Sequence, residues 1–258
     1  MAKFRSIILC SIALMIPLAG CSGKNNFVQN DKKMVTQSPP SANKPSADTK
    51  NVKYRQNGTS IQVVSNPETV PVLINKLNKL PDDYTPNDLT YPNIPFTFKE
   101  KIEKRKMRAI AAAAIEKLFA GAKQDGVNLL GVSAYRSHAV QTSLFNSYVK
   151  RDGYEAAKTY SAVPGTSEHE TGLAIDVTGG DGKCAAEKCF GGTEEAAWLE
   201  DHVAEYGFII RYPKGKDAIT GYTYEPWHIR YVGKSIAKEI MSRGITLEEY
   251  VNATPVNN

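Results

Sequence analysis

Hydrophobic and polar positions divide this chain into three stretches. The first apolar run, Ile7 to Leu18, spans twelve residues and follows Lys3 and Arg5. A short apolar run behind basic residues is the pattern of an export leader, and it is too short for a comfortable membrane span. Residues 22–58 are then rich in Asn, Ser, Lys, Gln and Pro, with few large apolar side chains. Such a stretch cannot bury enough surface to offset its ordering entropy, so it predicts a disordered tether. The expected organisation is a leader over 1–20, a linker over 21–66 and a domain over 67–258.

Within the domain, residues 70–98 are proline-rich and poorly periodic. They predict an extended wrap, with Val72, Leu73 and Leu77 packing on the core. A helix is predicted over 100–124, where an alanine run has high propensity and Ile102, Ile110, Ala113, Leu118 and Phe119 fall roughly on one face. Val127 to Ala134 reads as a buried strand. A second helix over 137–150 starts at Ser137, with Val140, Leu144 and Tyr148 at spacing four. Leu173 to Val177 reads as a short strand. A helix over 193–206 starts at Thr193, with Glu194 and Glu195 in the first turn, where negative charge is favourable. Phe208 to Tyr212 and His228 to Val232 read as strands, and 234–242 and 247–252 as helices. The expected class is α+β: one small, mostly antiparallel sheet with helices packed on one side. No internal repeat is visible.

Length and composition add limits. At 258 residues and 41% hydrophobic, the chain can build a real core and is neither collagen-like nor wholly disordered. The formal charge of +5 raises nucleic acid as a partner, until it is divided. The leader holds two basic residues, Lys3 and Arg5. Residues 22–58 hold seven basic against two acidic. Residues 59–258 hold 23 basic against 25 acidic, a net of −2. The domain is nearly neutral, so no nucleic-acid partner is expected. The tether lysines suit either an anionic membrane surface or simple solvation.

The four cysteines divide the same way. Cys10 lies in the leader. Leu18-Ala19-Gly20-Cys21 resembles the bacterial lipobox, which makes Cys21 the expected lipidation site; the alternative is an ordinary secretory cut nearby. Export permits oxidation, and Cys184 and Cys189 remain as a local disulfide or as two free thiols.

Two histidines have unusual surroundings. His169 and Asp176 belong to Ser167-Glu168-His169-Glu170-Thr171-Gly172-Leu173-Ala174-Ile175-Asp176, and His228 ends Tyr224-Glu225-Pro226-Trp227-His228. An aspartate in an apolar strand is costly unless paired, hydrogen-bonded or bound to metal. Taken alone, Asp176 reads equally well as a bond to a nearby turn. With His228 added, two imidazoles and a carboxylate give the ligand count of a catalytic zinc site with one position open, and Glu225 would be the general base. His138 and His202 sit on predicted helices and read as exposed.

Together with LINKLNKLPDDYTPNDL, SAYRSHAVQ, YGFIIRYP and TGYTYEPWHIRYVG, these blocks resemble the zinc D-alanyl carboxypeptidases of the VanY and LdcB type over about residues 70–235. The resemblance implies the fold of the Hedgehog and D-Ala-D-Ala peptidase group. It implies one Zn2+ per chain held by His169, Asp176 and His228, with Glu225 as base. It also implies removal of the terminal D-alanine from peptidoglycan stem peptides. Arg136 and Gln141 are implied to line the site, with Ser167 and Tyr212 nearby; a guanidinium fork suits a terminal carboxylate or an oxyanion. For Arg136 the alternative is a surface ion pair, and for Tyr212 and Trp227 it is core packing. The expected protein is monomeric and lipid-anchored, facing the cell wall. Rival readings are an endopeptidase on the same scaffold, a non-catalytic zinc-binding lipoprotein and a transport lipoprotein.

Overall fold

A computed structural model describes residues 55–56 and 59–256, which lie in one compact unit, Lys50–Asn258. The leader, Cys21 and most of the expected tether fall outside the described residues. Six two-residue strands come first: β1 (Arg55–Gln56), β2 (Thr59–Ser60), β3 (Gln62–Val63), β4 (Asn78–Lys79), β5 (Leu89–Thr90) and β6 (Met107–Arg108). β3 pairs in parallel with β4. The paired chain therefore begins before residue 67, where composition placed the domain boundary.

The central sheet has four antiparallel strands: β7 (Leu129–Ser133), β8 (Ala174–Gly179), β9 (Phe208–Tyr212) and β10 (Glu225–Tyr231), in the order β7-β8-β10-β9. Ile175 and Val177 of β8, Ile210 of β9 and Ile229 of β10 enter the main core. That core is completed by α1 (Ala109–Gln124) and α4 (Glu194–His202). Ile209, the neighbour of Ile210, enters a second cluster under α6 (Lys234–Arg243) and α7 (Leu247–Tyr250). Helices thus cover both faces of the sheet, not one. Phe208-Ile209-Ile210 is a continuous apolar run, and a strand without alternation must be buried on both sides.

The remaining helices are α2 (His138–Asp152), α3 (Tyr154–Tyr160) and α5 (Asp217–Thr220). α2 starts where expected: the Ser137 side chain accepts from the Val140 amide. Of its expected apolar stripe, Val140 is exposed, while Leu144 and Tyr148 line a cleft. α1 starts nine residues later than the pattern suggested. Residues 103–105 form a 3-10 turn and Met107–Arg108 a strand, so Ile102 is not helical. Ile102, Ile110 and Ala113 are exposed, whereas Ala111, Ile115, Leu118 and Phe119 are buried. Counting Ile102 as a helical position turns the expected face toward Ile110 and Ala113, away from the buried one. In the wrap, Val72 and Leu77 are buried as expected.

Candidate active site

Asp176 and His228 are direct cross-strand partners on β8 and β10. Their side chains meet because opposed residues of an antiparallel pair share a face. Glu225 is three residues before His228, and in a regular strand an odd offset puts two side chains on opposite faces. The register of β10 against β9 shifts between Glu225 and Ile229. That irregularity lets Glu225 and His228 open onto the same cleft.

His169 arrives from the 3-10 turn Glu168–Thr171, which ends at Gly172 in the left-handed region at φ 67°. A Cβ at Gly172 would stand 2.9 Å from Leu89 Cδ2 and 3.1 Å from Arg108 Cγ. Only glycine therefore permits both the turn and the close approach to the wrap.

His169, Asp176 and His228 are all buried, and their ligand atoms lie within 4.8 Å of one another. Each imidazole turns one nitrogen away from the cluster. His169 Nδ1 donates to the Ala134 carbonyl at 2.7 Å, leaving Nε2 3.3 Å from Asp176 Oδ2. His228 Nδ1 is 2.8 Å from Asp176 Oδ1, while its Nε2 faces Glu168 Oε2 at 3.5 Å. Three potential ligand atoms on rigid elements thus converge, and the outward nitrogen of His169 is held by a carbonyl while that of His228 faces a carboxylate beyond hydrogen-bond contact. The group fits a divalent metal of the zinc type.

The three groups are strongly coupled electrostatically. Burial opposes the charge on Asp176, but the two imidazoles outweigh it and hold its pKa well below the carboxylate range. Burial disfavours charge on His228 too, yet Asp176 and Glu168 lift its pKa to about 9. Burial lowers the pKa of His169, against the pull of Asp176. Glu225 is pushed up to about 7, first by burial, with His228 opposing and Asp176 and Glu168 reinforcing the rise.

His169, His228 and Glu225 open onto a cleft of about 350 Å³ that also includes Arg136, Ser167, Tyr212 and Trp227. Tyr212 stacks on the His228 ring at 5.1 Å and is itself buried. Trp227 both borders the cleft and packs against the main core. Arg136 is fixed at two points. Its amide donates to the His169 carbonyl at 3.2 Å, and its Nη1 donates to Gln141 Oε1 at 2.8 Å. Gln141 is wholly buried, absent from the cleft wall, and donates on to the Ala162 carbonyl at 2.6 Å. It reaches the site through Arg136 rather than by facing it.

Cys184 and Cys189 are joined, with Cα atoms 5.5 Å apart. Ala186 of the closed loop lies on the cleft wall. His138 stands away from the metal group: it is partly buried and pairs with Glu170 at 2.9 Å, not simply exposed. His202 is half-buried, not simply exposed: it stacks on Trp198 with ring centroids 4.8 Å apart and pairs with Glu205 at 3.0 Å.

Sequence reasoning missed Glu168 and Glu170. Both are buried carboxylates, although a Glu-His-Glu triplet reads as a solvated turn. Glu168 Oε1 accepts from Arg211 Nε at 2.7 Å and from Arg230 Nη1 at 2.6 Å. The signal available was two arginines inside apolar strands, which demand buried anions.

The family model for VanY, D-alanyl-D-alanine carboxypeptidase, matches residues 104–234. The chain is 41% identical to a putative carboxypeptidase, YodJ, of Bacillus subtilis (strain 168), over 90% of each sequence. It resembles the solved structure of the LdcB LD-carboxypeptidase with a TM-score of 0.73 and 44% identity, over 79% of this chain and 94% of that one. A structure of the vancomycin-resistance D,D-pentapeptidase VanY in complex with Zn(II) matches with a TM-score of 0.58 and 33% identity, over 71% and 99%.

Proposed function

This chain belongs to the VanY family of peptidoglycan carboxypeptidases, and we propose that it removes the C-terminal D-alanine from stem peptides in a zinc-dependent hydrolysis that remodels the cell wall. The observation that carries this reading is the convergence of His169, Asp176 and His228 beside Glu225, in a cleft that also holds Arg136.

His169 through Nε2, Asp176 through its carboxylate and His228 through Nδ1 would hold the ion. When bound, zinc supplies Lewis acidity, acidifying a water and polarising a carbonyl. Glu225 takes the proton from the attacking water and returns it to the leaving amine of D-alanine. Its partly buried carboxyl suits both steps, since an exposed carboxylate is a weaker base. Arg136, held by Gln141, presents a preset fork to the substrate carboxylate or to the developing oxyanion. Tyr212 and Trp227 form walls against the substrate and limit water access.

The higher similarity to the LdcB structure than to the zinc-containing VanY structure favours tetrapeptide over pentapeptide as substrate. The leader and Cys21 support a place at the outer face of the membrane, held by lipid. The deciding experiment incubates defined tetrapeptide and pentapeptide muropeptides with the protein, with and without chelator, and weighs the products. Loss of one alanine, abolished by chelator and restored by zinc, is expected. Cleavage inside the stem peptide would favour an endopeptidase, and activity that survives chelation would remove the metal from the mechanism.

A further inference from the structure

Glu168 precedes one proposed metal ligand, His169, in sequence and faces another, His228, in space. Its side chain has no exposed surface, and its two oxygens have different surroundings. Oε1 is occupied by Arg211 and Arg230. Oε2 has no hydrogen-bond partner, nor does His228 Nε2, and these two buried atoms face each other at 3.5 Å. A buried acceptor and a buried donor with nothing else in reach satisfy each other after a small shift.

The arginines leave Glu168 no freedom to turn. Arg211 forks onto both oxygens of Glu248 at 2.9 and 2.7 Å. Arg230 donates to the carbonyls of Val70 at 3.0 Å, Val72 at 2.8 Å and Tyr231 at 3.1 Å. The carboxylate plane is clamped by two strands, the wrap and α7, with Oε2 aimed at the imidazole.

We propose that Glu168 is a positioning residue for the metal: it keeps a proton of His228 on Nε2, so that Nδ1, which donates to Asp176 in this structure, presents its lone pair when an ion takes that proton's place. This rests on the reading of His169, Asp176 and His228 as zinc ligands. The other tautomer would place an N–H where the ion needs a lone pair. A carboxylate behind the ring also strengthens Nδ1 as a donor to metal. Two carboxylates, Glu168 and Glu248, balance Arg211 and Arg230. Replacing Glu168 by glutamine therefore leaves an uncompensated positive charge beside a dication. With the amide oxygen kept by the arginines, its NH2 points at His228 Nε2, donor against donor, and favours the wrong tautomer.

The test measures zinc affinity of the full chain by competition with a chromogenic chelator, together with thermal stability. Glu168→Gln is expected to weaken zinc binding about 10–100-fold. Glu248→Gln removes the same charge from the network at the end away from His228. It is expected to lower thermal stability while zinc affinity stays close to wild type. Unchanged affinity in Glu168→Gln, or equal losses in the two variants, overturns the proposal. Should Glu168→Gln fail to fold, the ring 15N shifts of His228 in the zinc-loaded wild type decide. A proton on Nε2 with Nδ1 coordinated is expected, and a proton on Nδ1 overturns it. A wild-type chain that binds no zinc overturns the ligand reading itself, and this proposal with it.

Discussion

Glu225 shows how one side chain acquires its role from its surroundings. In water its carboxyl would be a weak base; burial lifts its pKa to about 7. A bound dication would pull that value down, leaving the carboxylate ionised at neutral pH and basic enough to take a proton from water. Glu225→Gln keeps the shape and removes the base. We expect kcat to fall about 10²–10⁴-fold with zinc retained; metal analysis and single-turnover rates check both parts, and near-normal kcat would remove Glu225 from the role. At this scale the sequence was readable where a residue type is costly in its setting. Asp176 in an apolar strand, and histidines at a glycine turn and after a proline, announce themselves. Glu168 and Gln141 do not, because polar residues at a turn and on a helix ordinarily face water. Only the packed molecule shows that one lies behind His228 and the other holds Arg136.

Among the elements, β10 matters most. Its irregularity between Glu225 and Ile229 is what brings two side chains of opposite parity into one cleft. Pro226 is the sequence's trace of it, since proline cannot donate to a sheet ladder. The loop 184–189 is the second element with a bearing on the site. Cys184 and Ala186 both have positive φ, at 54° and 56°, and Ala186 borders the cleft. Left-handed backbone at non-glycine residues is held only when its surroundings insist; here the disulfide closes the loop around it. Replacing both cysteines by serine is expected to lower stability by about 2 kcal/mol from chain entropy. KM is also expected to rise with kcat nearly unchanged, because the loop forms a wall and holds no reacting group. Thermal denaturation and steady-state kinetics under oxidising conditions read these effects, and wild-type values for both would show the bridge to be idle. The sheet strands were legible from apolar runs, but the start of α1 was not, because the stretch from Ile102 forms a turn and an edge strand before the helix begins.

For the whole molecule, the division of charge outweighs its sum. The seven basic residues against two over 22–58 lie ahead of a domain with a net of −2, so the +5 describes no surface of the domain. Among the described residues, no helix is long and apolar enough to cross a membrane. The proposed attachment rests on Cys21, in the Leu18-Ala19-Gly20-Cys21 motif. Cys21→Ser in the native host is expected to move the protein from the membrane fraction to the soluble or secreted one. Full retention in the membrane fraction would overturn lipid anchoring at that residue. The buried network joining Glu168, Arg211, Arg230 and Glu248 belongs to this scale too. It ties the wrap, the sheet and α7 together around the metal group, so the ends of the domain contribute to the stiffness of the site.

The sequence by itself determined the chemistry on offer: two imidazoles and a carboxylate in the ligand count of a catalytic zinc site, a second carboxylate as base, a guanidinium implied by the family resemblance, and apolar runs that must become a sheet. Those are local properties, set by residue type and period. Tertiary structure decided the faces and the partners. It placed helices on both sides of the sheet, put Gln141 behind Arg136, and turned Glu168 from a polar turn residue into the buried support of His228. The physical reason is that desolvation and ion pairing depend on what packs against a group. For these residues the packing comes from segments dozens of positions away.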